Sequence, residues 1–248
     1  MASNNLMEVE LPSKGLAYEG EIPSKVTIKS LTVKEEKMIF GSTQANGPER
    51  ALRACIVDPE KINLSKMLPQ DEHFLLIKLR IHTFGPEYNV TTRCPECDKK
   101  IDLPINLDEL TINELPDDFK ELIELKLPNG DVLGLKLLRN EDNEAISELA
   151  SKRAKLSKED EGEIEYVLRI ARMIKSINGE DKNINDAQSY VENLSSNDSA
   201  YIESILEDEY KFGYDTVVTT KCPKCGEEIQ FSLPLSSEFF RPKFKRIR

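Results

Sequence analysis

Apolar and polar positions alternate over Met7–Leu11, and the turn residues Pro12-Ser13-Lys14-Gly15 follow at once. Alternation returns over Val26–Leu31, so the chain opens with two strands. The period then changes to that of a helix. Thr32–Phe40 starts with an N-cap threonine and carries Glu35 three residues on, the capping-box spacing. Pro48–Val57 is a second predicted helix, with Leu52, Cys55 and Ile56 on its apolar side and Asp58-Pro59 as its stop. Pro69–Thr83 is a third, with Phe74, Ile77 and Arg80 at helical spacing. Short strands are predicted at Tyr88–Thr92 and Ile101–Ile105.

The second half runs through a similar order. Glu121–Leu127 and Val132–Leu138 read as a hairpin about Pro128-Asn129-Gly130, because Asn-Gly tolerates positive φ. A helix begins near Asn140 with Ala145, Ile146 and Leu149 inward, and the charged stretch Ser151–Glu161 is an exposed helix end or linker. Glu163–Ile177 is predicted as one amphipathic helix through Val167, Ile170, Ile174 and Ile177. Ser176–Asn185 reads as a polar loop, and short helices are expected near 186–194 and 198–210.

Two segments 128 residues apart are near copies. Residues 84–105 and 212–233 share nine identities in 22 positions, and each carries Cys-Pro-x-Cys: Cys94, Cys97 and Cys222, Cys225. Weaker matches flank them. Leu11-Pro12 parallels Leu127-Pro128, Lys29-Ser30-Leu31 parallels Lys136-Leu137-Leu138, and Leu52-Arg53 parallels Leu168-Arg169. The expected organisation is a tandem duplication with a boundary near 113–121. Residues 1–116 form a first repeat ending in a CPxC ribbon. Residues 117–248 form a second, ending in a ribbon and a basic, aromatic tail. The fold class is α+β, each half a β-hairpin plus helices plus a CPxC zinc-ribbon-like hairpin.

Four thiolates in two such pairs complete a tetrahedral metal site, so structural Zn2+ on Cys94, Cys97, Cys222 and Cys225 is predicted. Proline after the first cysteine fixes φ for the knuckle, and the residue after the second needs a left-handed backbone, which Gly226 suits and Asp98 tolerates. Arg93, Lys99, Lys100, Lys221 and Lys224 offset the charge of the thiolates. Some 124 residues separate Cys97 from Cys222, whereas an ordinary zinc ribbon closes within about 20. A shared ion would clamp the two halves; pairs shared with partner chains would make an oligomer instead. A redox dithiol wants a helix N-terminus, and strand-like sequence flanks these pairs. Cys55 belongs on a helix as a small core residue, and His73 and His82, nine apart, share no helix face.

Charge narrows the function. Lys plus Arg is 34 against Asp plus Glu at 45, a net −11, which disfavours phosphate backbones and anionic membranes. No apolar run approaches the roughly 20 residues of a membrane span, and Met1–Asn5 begins no signal peptide, so synthesis in a reducing cytoplasm is expected. No phosphate loop, Ser-His-Asp set or placed carboxylate pair occurs, so no catalytic residue is assigned and the chain reads as a non-enzyme. The tail Phe239–Arg248, basic at five of its last eight positions, is a candidate docking segment. The alternative function is a zinc-ribbon nucleic-acid-associated factor.

Three residue groups together carry a family likeness: Leu11-Pro12-Ser13-Lys14-Gly15-Leu16-Ala17-Tyr18, the unit from Cys94 to Leu103, and the closing segment from Cys222 to Pro242. Their arrangement resembles the baseplate hub and hub-assembly proteins of T4-like contractile-tailed bacteriophages. The resemblance implies a non-enzymatic protein that works through contacts with other hub proteins, in the host cytoplasm during assembly and in the virion tail baseplate.

Overall fold

The computed structural model describes residues 6–41, 47–157, 160–233, 235 and 237–241. Strands β1 (Leu6–Glu10) and β2 (Lys25–Lys29) pair antiparallel, with Met7 opposite Ile28 and Val9 opposite Val26. Helices α1 (Val33–Phe40), α2 (Gly47–Cys55) and α3 (Pro69–Phe84) follow. Between α2 and α3 the chain touches the hairpin again: Ile56 bridges Ile28, and the Val57 N–H donates to Thr27 O at 3.0 Å. The first ribbon is β3 (Glu87–Arg93) with β4 (Lys100–Asn106), and a short β5 (Ile112–Asn113) ends this half.

The second half starts with the hairpin β6 (Ile123–Lys126) and β7 (Val132–Leu135), then α4 (Asn140–Ala154) and α5 (Glu161–Met173). Here the returning chain is a full strand. β8 (Ile174–Ile177) lies antiparallel to β7, and β9 (Glu180–Asp181) completes a four-stranded sheet ordered β6-β7-β8-β9. Helices α6 (Ile184–Glu192) and α7 (Ser196–Glu209) lead to β10 (Gly213–Tyr214) and to the second ribbon, β11 (Val217–Lys221) with β12 (Glu228–Ser232). The molecule is α+β, with seven helices and small antiparallel sheets among the described residues.

Local chemistry explains the helix starts. Thr32 and Glu35 form the predicted capping box, with the Thr32 N–H donating to Glu35 Oε2 at 3.0 Å. Arg139 N–H donates to Asp142 Oδ2 at 3.1 Å in the same way, three residues apart. Each acid also meets a lysine from the preceding strand or its extension: Lys29 Nζ lies 3.5 Å from Glu35, and Lys136 Nζ 2.6 Å from Asp142. Pro69 sits at the first position of α3, where its missing N–H costs nothing.

Four expectations need correction. The helix predicted to Ile177 stops at Met173, because the β-branched Ile174 and Ile177 suit a strand as well as a helix and the edge of β7 pairs with them. The loop predicted over 176–185 therefore holds the end of β8 and all of β9, and β7 ends at Leu135 rather than Leu138. Ala145 is exposed; Ala150, one helical turn beyond Ile146, is the inward residue of α4.

Two main cores form. The first gathers the apolar residues of β1, β2 and α1–α3, the second those of β6–β8 and α5–α7. The end of the chain crosses between them: Phe212, Leu233, Phe239 and Phe240 are buried in the first core. Phe239 packs edge-on against Tyr88 at 5.0 Å, and Arg80 lies over both rings. The two phenylalanines of the expected docking tail are thus inside the protein, since burying two aromatic rings outweighs displaying them in water. Pro242–Arg248, the remainder of that segment, lie outside the described residues. At the seam, Arg139 donates to Glu21, Glu121 and Ala17 O, and Asn140 N–H donates to Met67 O.

Candidate metal centre

The two ribbons are built alike. In the first, Thr92 faces Ile101 and Arg93 faces Lys100; in the second, Thr220 faces Ile229 and Lys221 faces Glu228. Each tip closes with the same pair of main-chain bonds. Cys94 N–H donates to Lys99 O at 3.1 Å and Asp98 N–H to Cys94 O at 3.0 Å; Cys222 N–H donates to Glu227 O at 2.7 Å and Gly226 N–H to Cys222 O at 2.9 Å. These bonds require a left-handed residue after the second cysteine. Asp98 has φ 52° and Gly226 φ 81°, as the sequence predicts.

The tips meet. Cys94 Sγ lies 3.6 Å from Cys225 Sγ and Cys97 Sγ 3.9 Å from Cys222 Sγ, and all four sulfurs fall within 4.8 Å of one another. No disulfide joins them. Thiolates about 2.3 Å from a tetrahedral ion sit roughly 3.8 Å apart, so this donor set fits one metal ion. Ile101, Leu103 and Ile229 form a small apolar floor beneath the sulfurs. Cys94 and Cys222 are buried on it, Cys97 is half-buried and Cys225 is exposed.

The electrostatics suit metal capture. Burial pushes the Cys222 thiol up, but the N–H groups of Lys224 and Cys225 and the adjacent sulfurs draw it down to about 6. Lys224 N lies 3.4 Å from Cys222 Sγ. At Cys225 the Glu227 N–H lowers the thiol, while burial and the three neighbouring sulfurs prevail and push it up to about 12. One thiolate thus opposes the next, and a cation among them removes the conflict.

Cys55 stands apart in the first core, its thiol pushed up to about 12 by burial and by Glu35. His73 and His82 lie on α3, outside the cluster. Sequence reading missed the two carboxylates that fasten the hairpin turns. Ser13 N–H donates to Asp71 Oδ1 at 3.1 Å, and Asn129 N–H to Asp198 Oδ1 at 3.1 Å. Their signal was an acid at the third helical position, common to α3 and α7.

Among the described residues no helix is long and apolar enough to cross a membrane. No curated protein and no solved structure matches the chain. The family model described as T4 bacteriophage base plate protein matches residues 5–241. With nearly its whole length matched, the chain belongs to the T4 bacteriophage base plate protein family.

Proposed function

We propose that this protein is a non-enzymatic structural or assembly component of the hub of a contractile phage tail base plate, acting through protein–protein contacts. One zinc ion held by Cys94, Cys97, Cys222 and Cys225 joins two copies of one module, residues 1–116 and 117–248. The observation that carries the clamp is the convergence of four sulfurs from ribbon tips 128 residues apart, within 4.8 Å, in a single chain. An intramolecular site needs no partner chain. Bound zinc supplies charge compensation and tetrahedral geometry, and leaves no open position for catalysis.

The duplication rests on bonds as well as residues. Each half has a lysine, a helix start and a third-position acid in one spacing (Lys29, Thr32, Glu35; Lys136, Arg139, Asp142). Each has a Leu-Pro turn held by a third-position aspartate of a later helix. Each returns to its hairpin after the second helix and ends in a ribbon of the same register. Such a protein is made in the host cytoplasm and joins the other hub proteins there.

Elemental analysis of purified protein, with a tagged copy recovered from infected cells, tests this reading. One zinc per chain and co-recovery of base plate proteins are expected. Metal-free protein with four titratable thiols in its native state would refute the clamp, and a tagged copy that never enters tail assemblies would refute the hub role.

A further inference from the structure

The linker between the halves and the end of α7 enclose an open cleft of about 570 Å³. Phe119, Leu122 and Tyr210 give it an apolar lining, and Asp118, Glu124 and Glu209 give it an acidic rim with Lys120 as the single cation. Leu122 is 47% exposed. One wall is the start of β6, the outer strand of the four-stranded sheet. β6 bonds to β7 on one side, and among the described residues no main-chain group pairs with its other edge. A free strand edge beside an apolar floor is a site for an added strand.

The chain carries a segment of the complementary charge. Residues 241–248 hold five Lys or Arg, with Phe244 and Ile247 between them. The root of this tail is fixed on the first half: Phe239 and Phe240 are 1% and 0% exposed in the first core, and Arg241 lies 4.6 Å over the Phe40 ring of α1. The cleft is built from the linker and the second half. Donor segment and receptor thus stand on opposite halves, the arrangement of a head-to-tail contact between copies.

We infer that this cleft receives the basic tail, residues 241–248, of a second copy of this chain, laid as a strand along the free edge of β6. Lysines and arginines of the tail meet Asp118, Glu124 and Glu209, and Phe244 covers the apolar floor. The contact does not involve the cysteine cluster, so it stands or falls separately from the metal clamp.

Sedimentation of the full chain over a range of concentrations tests the inference. Self-association that weakens with added salt is expected. Glu124→Lys with Glu209→Lys weakens it about tenfold or more, and so does Lys245→Glu with Arg246→Glu. Mixing the two double variants restores association, because one intact tail then meets one intact cleft. Hydrogen exchange at Leu122–Lys126 slows on association. A chain that stays monomeric at all concentrations, association indifferent to both double variants, or a cross-link placing the tail in the cleft of its own chain would overturn the proposal. Glu124 and Glu209 are both exposed, so their substitution leaves the cores intact and loss of folding does not confuse the result.

Discussion

Asp71 and Asp198 hold the same place in two helices 127 residues apart: each is the third helical residue, and each accepts the N–H of a turn residue after Leu-Pro at 3.1 Å. The remaining oxygen differs. Asp71 accepts the Tyr18 hydroxyl at 2.5 Å, whereas Asp198 accepts the hydroxyl of its own N-cap, Ser195, at 2.6 Å. Asp71→Ala leaves the Ser13 N–H and the hydrogen of the Tyr18 hydroxyl, which still accepts from the Leu68 N–H, without acceptors, at about 1–3 kcal/mol each. Asp198→Ala is the milder change, because the Ser195 hydroxyl remains near water. Denaturant titration of the two variants should rank them in that order.

The two lysine–acid pairs should behave unequally. Asp142 and Lys136 have side chains 4% and 18% exposed, while Lys29 opposite Glu35 is 44% exposed. Lys136→Met removes a partner from a buried carboxylate that keeps Arg172 and the Arg139 N–H, and should cost on the order of 3 kcal/mol. Lys29→Met should cost less than about 1 kcal/mol. Equal losses in thermal or chemical unfolding would mean that burial does not control these pairs.

Glu72 makes the stability of the seam depend on pH. Burial, reinforced by Glu49, pushes its carboxyl from the ordinary 4.5 up to about 7, although Asn140 donates to it. The folded state therefore holds this proton more tightly than the unfolded chain. Its contribution is full below about pH 4.5 and is lost as pH rises to about 7. Glu72→Gln should stabilise the protein at neutral pH by roughly 1–3 kcal/mol and flatten the decline across that window. Melting curves at several pH values give the answer; a decline unchanged in the variant would exclude Glu72 as its source.

On the proposed clamp, loss of a metal-binding cysteine should loosen both ribbons together. Cys94→Ser should lower protection from hydrogen exchange in β11 and β12 as well as in β3 and β4, because structural zinc contributes on the order of 10 kcal/mol to small zinc-dependent folds. Protection lost in β3 and β4 alone would show that the cysteine pairs do not share an ion.

Phe240 tests how far the first core depends on the end of the chain. It is fully buried among residues of the first half. Phe240→Ala should cost about 3–5 kcal/mol and raise exchange in β1, β2 and α3 before α5 or β8. Intact protection in the first half would mean that this core closes without the terminal segment.

The sequence by itself determined the elements whose chemistry is local. Thr32 and Glu35 dictate a cap through three residues, and Asn129-Gly130 a turn through two. The left-handed backbone at Asp98 and Gly226 follows from the CPxC knuckle alone. The repeat named the four cysteines because identical spacing 128 residues apart survives any fold. Tertiary structure decided what local periodicity leaves degenerate. The helical spacing of Ile174 and Ile177 competes with the strand preference of their β-branched side chains, and the free edge of β7 chose the strand. Phe239 and Phe240 read as an exposed tail because nothing near them in sequence could cover them; the first core, more than a hundred residues upstream, does so. The convergence of the four sulfurs is likewise a property of packing, since spacing fixes each pair and only the meeting of the two ribbons makes a site.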